Sequence, residues 1–66
     1  MPVITIEAGD MSKEQKRTLI EGFTKFASET LNIPTQAFTV ILKQNDPDNI
    51  GSGGKMLSQI RAEIEG

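Results

Sequence analysis

The sequence predicts an α/β fold, α+β in the broader sense, in which two parallel strands are joined by one crossover helix, with a glycine-turn hairpin and short tail at the C-terminus. Three observations carry this. A β-branched run opens the chain, a capped amphipathic segment follows it, and a second β-rich run comes after an Asn-Ile-Pro stop. Parallel neighbours need a crossover of a dozen or more residues, usually a helix, and such β-α-β connections are right-handed.

Val3, Ile4, Thr5 and Ile6 are all β-branched, and Gly9-Asp10 supplies a break, so the first strand is expected over residues 3 to 8. Pro2 precedes it, a residue tolerated at the first position of a strand because its missing N–H costs little there. Ser12-Lys13-Glu14-Gln15 is a capping box: the serine accepts from the Gln15 amide while the glutamine reaches back. The helix that follows is expected over residues 13 to 31, with Leu19, Ile20, Phe23, Phe26, Ala27 and Leu31 on one stripe. Asn32-Ile33-Pro34 ends it, because a residue before proline is pushed out of the α region and asparagine tolerates a left-handed cap.

Phe38 to Lys43 is the second strand, and Ile41 interrupts clean alternation, so both faces of its middle are expected to be at least partly buried. One helix covers only one of them, and the other face calls for a second subunit. Asn45-Asp46-Pro47-Asp48-Asn49 is turn chemistry, and Gly51-Ser52-Gly53-Gly54 suits a tight turn or small hairpin. From Lys55 to Gly66, Met56, Leu57, Ile60 and Ile64 fall at helical spacing, which fits a short helix or a packed extended tail.

Residues 1 to 66 are read as a single domain, with no repeat or linker. At 66 residues the chain buries too small a share of its surface to be comfortably stable alone. With no cysteine and no histidine, disulfides and the usual zinc clusters are excluded, which leaves self-association as the expected support. The net charge of -2 and the absence of Trp and Tyr argue against a nucleic-acid surface. No apolar run approaches the roughly 20 residues of a membrane span, so no membrane partner is expected and a soluble, cytoplasmic location is.

Two constellations invite chemistry and fail on inspection. Gly51-Ser52-Gly53-Gly54-Lys55 resembles a phosphate loop, but Asn49 and Met56 stand where that motif needs Gly and Ser or Thr. Glu7, Asp10, Asp46 and Asp48 are hard-metal donors, yet each has an ordinary place at a strand, helix start or proline turn, and no metal is expected. Pro2 is different. With Met1 trimmed it would carry a free secondary amine; an α-amino group titrates near ~8, and apolar burial disfavours its charged form, making it a usable general base.

Pro2 at the start of a short strand, Ser12-Lys13-Glu14-Gln15-Lys16 opening the helix, Leu19-Ile20 within it, Pro34, the Phe38-to-Leu42 strand and Gly51-Ser52-Gly53-Gly54-Lys55 together resemble the 4-oxalocrotonate tautomerase family over nearly the whole chain. The resemblance implies a homohexamer, a trimer of dimers. It also implies an isomerase in which Pro2 moves a proton between oxygen and carbon of a small enol or dienol acid such as 2-hydroxymuconate, without metal or organic cofactor. Well-known members have an arginine before the capping serine, another on the second strand and an aromatic residue before the glycine turn. Here those positions hold Met11, Thr39 and Ile50. With Ile41, they are the expected substrate-binding residues, and their chemistry weakens the clamp that a dicarboxylate would use. The readings set against tautomerisation are hydration or dehalogenation of an unsaturated acid by the same base, and a self-assembling binding module without chemistry.

Overall fold

The computed structural model describes residues 1–65. Strand β1 (Val3–Ala8) leads through a short turn into helix α1 (Lys13–Leu31), a single 3-10 turn (Thr35–Ala37) and strand β2 (Thr39–Gln44). A second 3-10 turn (Pro47–Asn49), a hairpin of β3 (Gly51–Ser52) and β4 (Lys55–Met56), and helix α2 (Leu57–Glu65) complete the chain. β1 and β2 run parallel in the register Val3 opposite Thr39 through Ala8 opposite Gln44, while β3 and β4 pair antiparallel as a separate small ribbon.

The local chemistry accounts for these boundaries. At the start of α1 the capping box is complete: Gln15 N–H donates to Ser12 Oγ at 3.1 Å, and Ser12 N–H donates to Gln15 Oε1 at 2.9 Å. At its other end Asn32 adopts the left-handed conformation (φ 56°), and the Ile33 N–H returns to the Ser28 carbonyl at 3.1 Å. β2 begins one residue later than expected. The Phe38 N–H is already spent on the Thr35 carbonyl, closing the 3-10 turn at 3.1 Å, so the ladder starts at Thr39. In the hairpin, Gly53 (φ 61°) and Gly54 (φ 85°) take the positive-φ positions of a tight turn that L side chains rarely tolerate. Of the two readings of the tail, the helix is the one observed, starting at Leu57, with Lys55 and Met56 drawn into the hairpin. Gly66, included in that expected tail, lies outside the described residues.

One helix and two strands do not enclose a core. Ile4, Ile6, Ala8, Val40 and Leu42 face α1 and are half-buried, and none of the described residues is fully buried. On the apolar stripe of α1, only Leu19 and Ala27 reach that state, whereas Phe26 is 68% and Leu31 54% exposed. The stripe is wider than a two-stranded sheet can cover. On the opposite sheet face Ile41 is 43% exposed, so within one protomer β2 alternates cleanly, and the cover expected there is not supplied by this chain.

The overall dimensions agree. The radius of gyration is 15.7 Å, against about 11 Å for a compact chain of this length. The accessible surface is 5131 Å², where a compact monomer of this mass exposes roughly 4,100 Å². The excess of about 1,000 Å² matches one partner's share of a stable protein interface.

If exposed faces of this kind are covered by association, the urea midpoint is expected to rise with protein concentration, and Phe26→Asp is expected to lower both the assembled mass measured by light scattering and the midpoint. A midpoint independent of concentration over a hundredfold range would contradict this. Ser12→Ala is expected to cost about 1 kcal/mol in the same assay, through loss of the α1 cap.

Candidate active site

The parallel ladder begins with the Thr39 N–H donating to the Pro2 carbonyl at 3.1 Å. Pro2 thus enters the sheet as an acceptor only, and its nitrogen has no part in the ladder. The residue before it, Met1, is 94% exposed, while Pro2 itself is half-buried. A backbone anchored on its carbonyl side with a nitrogen left out of the pairing is a fixed seat for whatever that nitrogen does.

Around this seat, Val3 and Thr39 stand opposite each other, followed on the same outer face by Thr5 opposite Ile41 and Glu7 opposite Lys43. Pro2 and Thr39 are therefore neighbours through the backbone at the start of the sheet, with Ile41 about 7 Å along β2 from Thr39 at the ordinary strand rise, while strand alternation puts Pro2 on the side of Ile4 and Ile6. The outer face at this end of the sheet, Val3, Thr5, Thr39 and Ile41, is uncharged. The first ionisable groups on this face, Glu7 and Lys43, lie about 13 Å further along.

Met11 and Ile50 are elsewhere. Met11 follows the far end of β1, where its N–H donates to Gln44 Oε1 at 2.9 Å. It lines an open groove of about 510 Å³ between the end of β1 and the first turns of α1, with Ala8, Gln15 and Leu19. Ile50 lies beyond the end of β2, held by its carbonyl to the Leu57 N–H at 2.7 Å and following the Asp46-capped 3-10 turn, in which the Asp48 N–H donates to Asp46 Oδ1 at 2.9 Å. The sheet is roughly 17 Å long at that rise. Within one protomer, then, Met11 and Ile50 sit at the end of the sheet opposite Pro2.

Gln44, which the sequence does not single out, and Glu7, which it offers only as a possible metal donor, help shape this region. Gln44 fixes the Met11 backbone, and Glu7, which accepts from Asn45 Nδ2 at 3.1 Å, occupies the outer face opposite Lys43. The parity of β1 against β2 is the signal for Glu7, since it becomes readable once the register is set. Nothing in the sequence around Gln44 points to its partner 33 residues away.

The class defined by this fold and site is a small β-α-β protomer with unpaired apolar faces and a proline at the head of its first strand. The tautomerase enzyme family model matches residues 2–60, and the chain belongs to that family. It is 34% identical to a probable tautomerase of Halalkalibacterium halodurans over 59 residues, covering 88% of this chain and 97% of the relative. A probable tautomerase of Helicobacter pylori strain J99 is 35% identical over 65 residues, covering 92% of this chain and 96% of the relative. Among solved structures, TomN, a 4-oxalocrotonate tautomerase homologue of the tomaymycin biosynthetic pathway, superposes with a TM-score of 0.86 at 31% identity, covering 92% of this chain and 95% of that one. DmpI of Helicobacter pylori gives a TM-score of 0.78 at 31% identity, with 88% and 98% covered.

Gln44→Ala removes the acceptor for the Met11 amide. Faster hydrogen exchange is expected at Met11, with the amides in the middle of β2 unchanged; an unchanged Met11 rate would show that the turn is held by other means.

Proposed function

We propose that this tautomerase converts a small enol or dienol acid to its keto form, α,β-unsaturated where the substrate is a dienol, with Pro2 as general base once Met1 has been removed. The secondary amine takes the proton of the enol hydroxyl; the O–H electron pair becomes the new carbonyl π bond, the C=C electrons shift outward, and the ammonium returns the proton to the olefinic carbon at the far end of the enol or dienol. The balance is closed and needs no cofactor. The observation that carries the reading is the one-sided anchoring of Pro2, whose carbonyl is in the ladder while its nitrogen is not. The exposure of Met1 supports it, because nothing packs against the residue that must leave.

In this reading Thr39 and Ile41 form the wall next to the amine, and Met11 and Ile50 reach a site from neighbouring copies, since their own Pro2 lies at the other end of the sheet. The single domain of residues 1–66 assembles as a homohexamer, a trimer of dimers, in the cytoplasm. With few charges near the amine, desolvation by the apolar wall is the influence that keeps it neutral.

The reading is tested with protein whose intact mass establishes the loss of Met1. Turnover of 2-hydroxymuconate or phenylenolpyruvate is expected to fall by about a hundredfold or more in Pro2→Ala, the usual scale for a lost general base. Protein retaining Met1 is expected to be inactive, because its Pro2 nitrogen is a tertiary amide. As only the neutral amine accepts a proton, kcat/KM is expected to rise with pH through the amine's pKa, ordinarily near ~8. Equal rates for the native protein and Pro2→Ala would end the reading.

A further inference from the structure

The charges at two helix ends run against the helix dipoles. Lys13, Lys16 and Arg17 outnumber Glu14 in the first turns of α1, where partial positive charge gathers, and no basic residue stands in its last turn. Glu63 and Glu65 close α2, where the partial charge is negative, again with no basic residue in the last turn. Neither placement helps the helix that bears it, and the two are opposite in sign.

Each of these ends also carries an isoleucine that its own chain leaves uncovered. On α1, Lys13, Lys16, Arg17, Ile20 and Glu21 line a shallow groove of about 320 Å³, in which Ile20 is 40% exposed. On α2, Leu57, Ile60 and Ile64 recur at helical spacing along one stripe; the first two are half-buried, and Ile64 is 80% exposed. Within the protomer α2 packs on the second 3-10 turn and β4, and α1 on β2 and the first 3-10 turn, so the two isoleucines do not cover each other. Arg17 is paired with Glu14 and Lys55 with Glu63, each at 3.2 Å, whereas Lys13, Lys16, Glu21 and Glu65 have no ion pair among the described residues.

We infer that the free end of α2 of one copy docks in this groove on α1 of a second copy, with the two helices antiparallel. No foreign partner is required, because the chain carries both complementary ends. In that orientation Ile64 covers Ile20. Lys16 lies about 6 Å along α1 from Ile20, within reach of Glu65 through the long lysine side chain, and Arg61, one turn before Ile64, falls on the Glu21 side. The apolar contact supplies the burial, and the charges set direction and register. Since the Leu57 N–H holds the Ile50 carbonyl at 2.7 Å, seating α2 also fixes the stretch around Ile50 against the second copy. The contact needs two copies and nothing of the chemistry at Pro2.

The chain has no cysteine, so an introduced pair reports the contact directly. In the full chain carrying both Ile20→Cys and Ile64→Cys, mild oxidation is expected to join position 20 of one copy to position 64 of another, seen as doubled or higher mass without reductant and assigned by peptide mass spectrometry. The chain with Ile64→Cys alone is expected to keep its single mass. No link, a link within one chain, or links between like positions only would overturn the inference and leave the groove on α1 to a different partner. Charge reversal gives a second measure. Glu65→Lys and Lys16→Glu are each expected to raise about fivefold the concentration at which the assembly dissociates, the scale of one exposed ion pair. Together they are expected to return it to within about twofold of the native value, and a double variant no better than the single ones would overturn the antiparallel seating. Neither measurement involves turnover, so the outcome is independent of the test on Pro2.

Discussion

The bond from the Thr39 N–H to the Pro2 carbonyl is the interaction on which the remaining structure hangs. It starts the parallel ladder, and because side chains alternate along a strand, it sets at one stroke which residues face α1 and which face away. A slip of one residue would turn Ile41 towards the helix and Leu42 outward, exchanging the two faces. It also fixes where Pro2 sits. A proline has no donor to lose at this position, so the ladder is as complete as it would be with any other residue, and the nitrogen is spared for another role.

The same economy leaves the protomer unfinished. With two strands in the main sheet and one helix across it, Phe26, Leu31 and Ile41 have no cover in their own chain. Hydrophobic burial of roughly 25 cal/mol per Å² is the main force available to a chain without disulfides or metal, and on the proposed reading it is realised between copies. The candidate site is divided in the same way, Pro2, Thr39 and Ile41 at one end of the sheet and Met11 and Ile50 at the other. On the proposed reading, assembly and catalysis therefore share one requirement, and a variant that weakens the contacts between copies weakens the site with them.

Much of this was legible in the residues. The capping box at Ser12 and the Asn32 stop fixed α1 to the residue, because both depend on local hydrogen bonds that sequence spells out directly. β1 was equally readable from its β-branched run and the Gly9-Asp10 break. The start of β2 was not, since it depends on whether the Phe38 N–H closes a turn or joins a ladder, a competition between a local and a distant acceptor. The extent of exposure on α1 was also hidden: periodicity marks an apolar stripe but not how much sheet lies beneath it. For the site, Pro2 stood out as a residue type with unusual chemistry, whereas Glu7 and Gln44 acquire their places only through pairing with residues more than 30 positions away.

An uncharged wall has two consequences for an amine base, and they are tied together. On the proposed reading, removing water from around Pro2 disfavours the ammonium form and keeps the base ready at neutral pH, yet the same removal of water makes an anionic substrate harder to admit. A cation beside the amine would serve both needs, lowering its proton affinity by repulsion and anchoring a carboxylate by attraction. Thr39, where well-known relatives of this family carry an arginine, gives neither. On the proposed reading, desolvation is then the main influence this chain itself offers to tune the amine.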